Sequence, residues 1–287
     1  MKSGFISVHP LLAFSYFLIM VILVMLIKNP IYLLTILLIT TGLLYFLDHL
    51  RSLRKQLKFY LLMALFILIL NPIFSTHGTT VLFYLKNRSV TLEGVMYGVT
   101  FALSLLNILF LFLGYNLILS PQRFLYLFGN IIPKISFILT IIMGFIPLFT
   151  RRMHEIIDVR KTFVKDLSKH SYKQHITESM TSLNTLVSWT LEESLENASS
   201  MRARGYGTHK RTSATLYNFD HRDYLLIGIG VVLLIIISIG LFLGHMNTFP
   251  SSLMQWGYFL CILLFTALPL LIEMREYLRW HFMKSII

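Results

Sequence analysis

Charge is scarce in this sequence and unevenly placed. Only 13% of the 287 residues are Asp, Glu, Lys or Arg, while 56% are hydrophobic. A soluble domain carries about 25% charged residues. The deficit comes from long apolar runs that alternate with short charged stretches. Apolar runs of about 18 residues cross a hydrocarbon core of roughly 30 Å. Six runs meet or approach that length: Pro10–Ile27, Pro30–Leu47, Tyr60–Phe74, Gly94–Leu119, Tyr224–Gly244 and Leu253–Ile272. None contains an ionisable Asp, Glu, His, Lys or Arg. Proton relays, proton-coupled carriers and intramembrane hydrolases need such groups inside the bilayer. Their lack argues against those mechanisms.

Other signatures are missing too. The single cysteine, Cys261, allows no internal disulfide and no cysteine metal cluster. No GxxxxGK[ST] loop occurs, so the chain is not expected to cradle ATP phosphates itself. His154-Glu155 lacks the second histidine of HExxH, and no internal repeat is evident. No cofactor, no metal site and no catalytic residue are expected. His77 lies alone in the Ser75–Glu93 loop and is read as solvated. In the same loop Gly78 and the alternating run Thr80–Leu85 predict a small hairpin.

What the chain has is positive charge, +12 in net. Basic loops collect on the cytoplasmic side of membrane proteins, and this outweighs a nucleic-acid partner as the explanation. The stretch Arg51, Arg54, Lys55 and Lys58 is therefore placed inside, with both termini. The insert Arg151–Arg222 holds 12 Lys and Arg against 8 Asp and Glu, and is placed inside as well. A seventh run, Ile135–Phe149, is bracketed by Pro133 and Pro147 and reaches only about 22 Å as a helix. It is read as partly embedded, not as a full span. The expected class is all-α: a polytopic membrane protein with about six spanning helices. Residues 1–150 and 223–287 form its membrane parts, and 151–222 a cytoplasmic helical insert.

The insert carries the most specific pattern, Trp189 to Thr212, WTLEESLENASSMRARGYGTHKRT. Upstream and within it, Leu183, Val187, Leu191, Leu195 and Ala198 recur at helical spacing. The helix is expected to end at Gly205, because glycine takes the left-handed C-terminal conformation at little cost. Arg202 and Arg204 fall in its last turn, where cations suit the helix dipole. Two guanidiniums at a helix tip can pair bidentately with carboxylates of an acidic groove. A solvated basic helix end beside anionic lipid explains the same pattern.

Ala203-Arg204-Gly205, with Ser200-Met201, Tyr206-Gly207 and Arg211-Thr212 around it, resembles the transmembrane T component of energy-coupling factor (ECF) transporters, the family that includes the cobalt-transport membrane subunit. The likeness continues in His77–Leu85, Thr91–Gly98, Phe124–Pro133 and Phe145–Pro147. It implies a coupling subunit of a bacterial plasma-membrane ABC importer. Its partners would be two ABC-type ATPases, and a membrane S component that captures a vitamin or metal ion. Arg204 would be the main ATPase contact, Ala203 and Gly205 would let the tip fit, and Arg202 would support it. The family's first motif should fall near Asp158–Lys165, which reads DVRKTFVK here and leaves Arg160 as the nearest candidate. Gly144 stands where arginine is common. The resemblance also implies that the Leu183–Ala198 face packs on the first coupling helix. Glu192, Glu193 and Glu196 are expected to pair with nearby Lys or Arg. The competing reading is an independent membrane enzyme or permease, with His154, Asp166, His170 and His175 as its polar cluster. A basic nucleic-acid binder is weaker, because acidic residues interleave through the insert and dilute its field.

Overall fold

A computed structural model describes residues 4–74, 80–85, 88–129, 131–163, 172–208, 217, 219–244 and 252–284. Nine helices are found among them: α1 (Pro10–Leu26), α2 (Pro30–Asp48), α3 (Arg51–Phe74), α4 (Leu92–Ile118), α5 (Pro121–Gly129), α6 (Pro133–Phe163), α7 (Tyr172–Ala203), α8 (His221–Phe242) and α9 (Leu253–Lys284). A short 3-10 turn, Phe5–Ser7, precedes α1. The expected hairpin is present: β1 (Val81–Leu85) pairs antiparallel with β2 (Arg88–Thr91) ahead of α4.

Local chemistry sets the helix starts. Pro10 and Pro30 open α1 and α2, where a missing N–H costs nothing, and the His9 and Asn29 side chains accept from the N–H groups of Leu11 and Ile31. Thr91 Oγ1 accepts from Gly94 N–H at the start of α4. Asp220 and Asp223 form a reciprocal capping box at the start of α8.

Packing divides the chain into two compact units, Met1–Phe124 with Tyr217–Ile287, and Leu125–Leu216. In the first, α4 is the hub and packs against α1, α2 and α3, while α9 joins α2 to α8. Leu44, Leu53, Tyr60, Phe110 and Leu113 form a buried cluster at the junction of α2, α3 and α4. Gly98 lets α4 approach α3 closely: a Cβ there would lie 3.2 Å from the Leu68 carbonyl oxygen. Two polar side chains of α4 reach backbone carbonyls of its neighbours. Ser104 Oγ donates to Val24 at 3.3 Å, and Asn107 Nδ2 donates to Leu33 at 2.9 Å. The surfaces left over are greasy. Phe59, Leu62, Phe66 and Ile69 of α3 are all exposed, as suits a helix whose solvent is lipid.

Six helices are long and apolar enough to cross a membrane, the number expected, but they are not the expected six. At 17 residues α1 is a shorter apolar helix, within the length that can cross a bilayer, and α6 qualifies by length and composition alone. The run Ile135–Phe149 is not an isolated short segment. Its helix passes through Pro147 and continues to Phe163, 31 residues in all, or about 46 Å. A proline costs one backbone bond, and the turns on either side of it here are continuous helix. Counting apolar residues stops where charge begins, whereas the backbone ladder does not.

Asn107 is fully buried, and its Oδ1 accepts no hydrogen bond. Asn107→Leu gives up the bond to Leu33 but also removes that unpaired acceptor, so the expected loss is about 1 kcal/mol. Asn107→Asp places a carboxyl at mid-helix and is expected to cost roughly 3 kcal/mol. Thermal unfolding in mild detergent at neutral pH checks the order, which should be wild type, then Leu, then Asp.

Candidate functional site

The second unit is built on two long helices, α6 and α7, which run antiparallel. Four contacts fix the register. Phe137 stacks on Tyr206 at 5.0 Å, and Phe149 meets Trp189 edge to face at 6.4 Å. The Arg152 guanidinium lies 4.7 Å from the centre of the Trp189 ring. Arg160 Nη1 donates to the Glu178 carbonyl at 3.4 Å. As the α6 number rises the α7 number falls by a similar amount. Trp189 is the central wedge, meeting both an aromatic ring and a cation of α6.

The tip of α7 is a Schellman turn. Gly205 N–H donates to the Arg202 carbonyl at 2.9 Å, and Tyr206 N–H donates to the Met201 carbonyl at 3.0 Å. Ala203 is thus the last helical residue, Arg204 the C-cap, and Gly205 the left-handed residue with φ of 81°. The helix ends where expected. Tyr206, the next residue, is held by its stack on Phe137. Ala203 is exposed, as are Arg202 and Arg204, and neither guanidinium makes an ion pair among the described residues. Helix C-terminal carbonyls and two open cations are presented side by side.

Arg160 is not part of this tip. It sits near the far end of α6, half-buried and engaged with α7. From Phe137, beside the tip, to Arg160 the helix advances roughly 35 Å. The hairpin therefore separates the two candidate basic points by most of its length. Around Arg160, Lys161 pairs with Asp158 at 3.0 Å, and two turns earlier Arg152 pairs with Glu155 at 2.7 Å.

Two expectations need correction. The apolar face of α7 does not pack on α6. Leu183, Val187, Leu191 and Leu195 are between 42% and 74% exposed, and Ile176 and Met180 continue the same open stripe. The face that α7 turns inward carries Ser182, Leu186, Trp189, Glu193, Asn197 and Met201. Large rings and hydrogen-bonding groups won that face because α6 offers Phe149 and Arg152 there. The acidic residues also behave differently. Glu192, Glu193 and Glu196 make no ion pair with Lys or Arg among the described residues; Glu193 instead accepts from Asn197 at 3.2 Å. Sequence reasoning missed Trp189, Arg152 and the Phe137–Tyr206 pair. A lone tryptophan in a polar helix was the signal that could have found the first.

The candidates for a self-contained site gain little. His154 Nδ1 is bonded to the Thr150 carbonyl at 2.7 Å. No group of three His, Cys, Asp or Glu able to hold a metal occurs among the described residues. His77, Asp166, His170 and Lys210 to Thr212 lie outside those residues, as does the side chain of His175.

Glycine is required where φ is positive, at Gly205 and Gly207, and not at Gly144 within α6. Gly205→Ala forces a Cβ into the left-handed region and should cost about 1 kcal/mol. Gly144→Ala, in an open position within α6, should stabilise by up to about 1 kcal/mol. Opposite shifts in the thermal midpoint of the purified chain are the expected result.

A model of the CbiQ family, cobalt transport protein, matches residues 5–214, from the turn before α1 to beyond the Gly205 tip. No curated protein sequence matches the chain.

Proposed function

The chain belongs to the CbiQ family of cobalt transport proteins, the family of ECF transporter T components, and from that premise we propose that it is the coupling subunit of an ECF-type ABC importer. It is a multi-pass membrane component of a transport system. In the proposed complex two ABC-type ATPases hydrolyse ATP. This chain passes their motion to a membrane S component, which carries a vitamin or metal ion. The membrane is the bacterial plasma membrane, and the insert and both termini face the cytoplasm, where ATP is.

The observation that carries this reading is the Arg202–Gly205 tip. Two exposed guanidiniums, with no ion-pair partner among the described residues, stand on a rigidly terminated helix, the form expected of a plug for an acidic groove. Rigidity matters, because a loosely hung plug would absorb the motion it must transmit. The distance along the hairpin to Arg160 supports two docking points, one for each ATPase. The bond from Arg160 to α7 marks it as the weaker of the two. The exposed Leu183–Leu195 stripe supports an apolar partner, since contiguous open apolar surface on a helix marks an interaction face. The S component is assigned to it.

Arg204→Glu tests the docking reading. The wild-type chain, purified from its native membrane, should bring two ATPases and a small hydrophobic protein. The variant should insert normally and lose the ATPase docked at the tip, since repulsion at a docked charge costs several kcal/mol. Full retention of both ATPases in Arg204→Glu would sink the assignment. The paired change Leu191→Asp with Leu195→Asp separates the two partners: it should release the small hydrophobic protein and keep the ATPases.

A further inference from the structure

Helix α3 sorts its residues by face along most of its length. Residues at i, i+3, i+4 and i+7 share one side of a helix. Arg51, Arg54, Lys55 and Lys58 fall on one such side, and all four are exposed. The same side continues through Leu62, Leu65, Phe66 and Ile69, which are 52% to 63% exposed. Leu53, Tyr60 and Ala64 occupy the opposite side and are buried, with Tyr60 against Phe110 of α4. A cationic patch therefore runs straight into an apolar stripe. At 24 residues, α3 is about 36 Å long, so its first turns overhang a hydrocarbon core of roughly 30 Å. The cations stand at headgroup level and the stripe at acyl-chain level.

The patch does nothing for the helix that carries it. Cations in a first turn oppose the positive end of the helix dipole. Asp48 is the only carboxylate on α2 and α3. It lies close enough to Arg51 and Lys55 to feel their charge, but its oxygen is engaged by Ser52 N–H at 3.1 Å. Four cations against one carboxylate leave this face positive. We propose that it is a binding site for anionic phospholipid, with headgroup phosphate on the four cations and acyl chains along Leu62, Leu65, Phe66 and Ile69. Fixing membrane orientation needs only a count of Lys and Arg near the span. It does not need them on one face, continuous with an open apolar stripe. A phospholipid needs both. Guanidinium pairs bidentately with phosphate, and lysine stems lie along apolar surface while their ammonium groups reach the interface. Four or more cations beside a span attract acidic headgroups. A soluble acidic partner would use the cations and leave the stripe idle. The site stands on α3 alone and requires neither the coupling role nor the orientation proposed above.

The test uses the full chain in phosphatidylcholine nanodiscs, with Cys261→Ser as background and a bimane fluorophore on Phe59→Cys, an exposed position beside the patch. Doxyl-labelled phosphatidylglycerol or doxyl-labelled phosphatidylcholine is added at equal mole fraction, and the ratio of their quenching reads local enrichment of the anionic lipid. The ratio should exceed about five, the factor that one interfacial cation supplies. Changing Arg51, Arg54, Lys55 and Lys58 together to Gln should bring it to about one. Arg51→Lys with Arg54→Lys keeps the charge and should keep most of the enrichment. A label on Ile239→Cys, at the end of α8 that has no Lys or Arg in the following loop to Leu253, should read a ratio near one throughout. If the neutralised chain fails to insert, the unneutralised chain decides: raising salt from 0.1 M to 1 M shortens the screening length from about 10 Å to about 3 Å, and the Phe59→Cys ratio should fall severalfold. A ratio near one before neutralisation overturns the site, as does one that neither neutralisation nor salt lowers. Loss of ATPases from the neutralised chain at an unchanged lipid ratio would make the patch a protein-docking face and overturn it too. Enrichment in a chain that recruits no ATPases would sink the coupling role and leave the lipid site standing.

Discussion

A bilayer offers no water to unpaired backbone groups, and the rest of this structure depends on that constraint. Each N–H and C=O at membrane depth must find a partner within its own helix. Long helices are the result, α3 and α4 among them. With no hydrophobic gain from burying apolar surface in lipid, helices associate through close approach and a few polar contacts. Gly98 supplies close approach where α4 meets α3, and Ser104 and Asn107 supply the polar contacts where α4 meets α1 and α2. These three positions make α4 the hub of the first unit.

The second unit obeys a different balance. Its helices are held by a wedge, Trp189, which packs against Phe149 and Arg152 of α6. The wedge holds a polar, ring-bearing face of α7 against α6. An apolar stripe is left open on α7, and a basic tip is left open at its end. A helix that was merely seeking burial would do the reverse. The arrangement makes sense for a transport component of the CbiQ family that assembles with other chains, because the open surfaces then belong to partners.

Termination is as important as packing. The Schellman turn closes α7 with two backbone bonds, and Tyr206 is stacked on Phe137 just beyond it. The tip is therefore braced from both sides of the helix end.

Much of this was legible in the sequence. Apolar run lengths announced a polytopic helical protein, because lipid admits nothing else of that composition. Gly205 announced the end of α7, because only glycine takes the left-handed conformation there cheaply. The Thr80–Leu85 alternation announced a hairpin. Tertiary structure decided what those signals could not carry. Periodicity shows that Leu183, Val187, Leu191 and Leu195 share a face, but which face meets α6 depends on the shape α6 presents. Charge counting ended the α6 span at Phe149, but a helix ends where its backbone partners end. The meeting of Phe137 with Tyr206, across nearly the whole of α6 and α7, depended on folding alone, because contacts between residues so distant in sequence leave no local pattern to read.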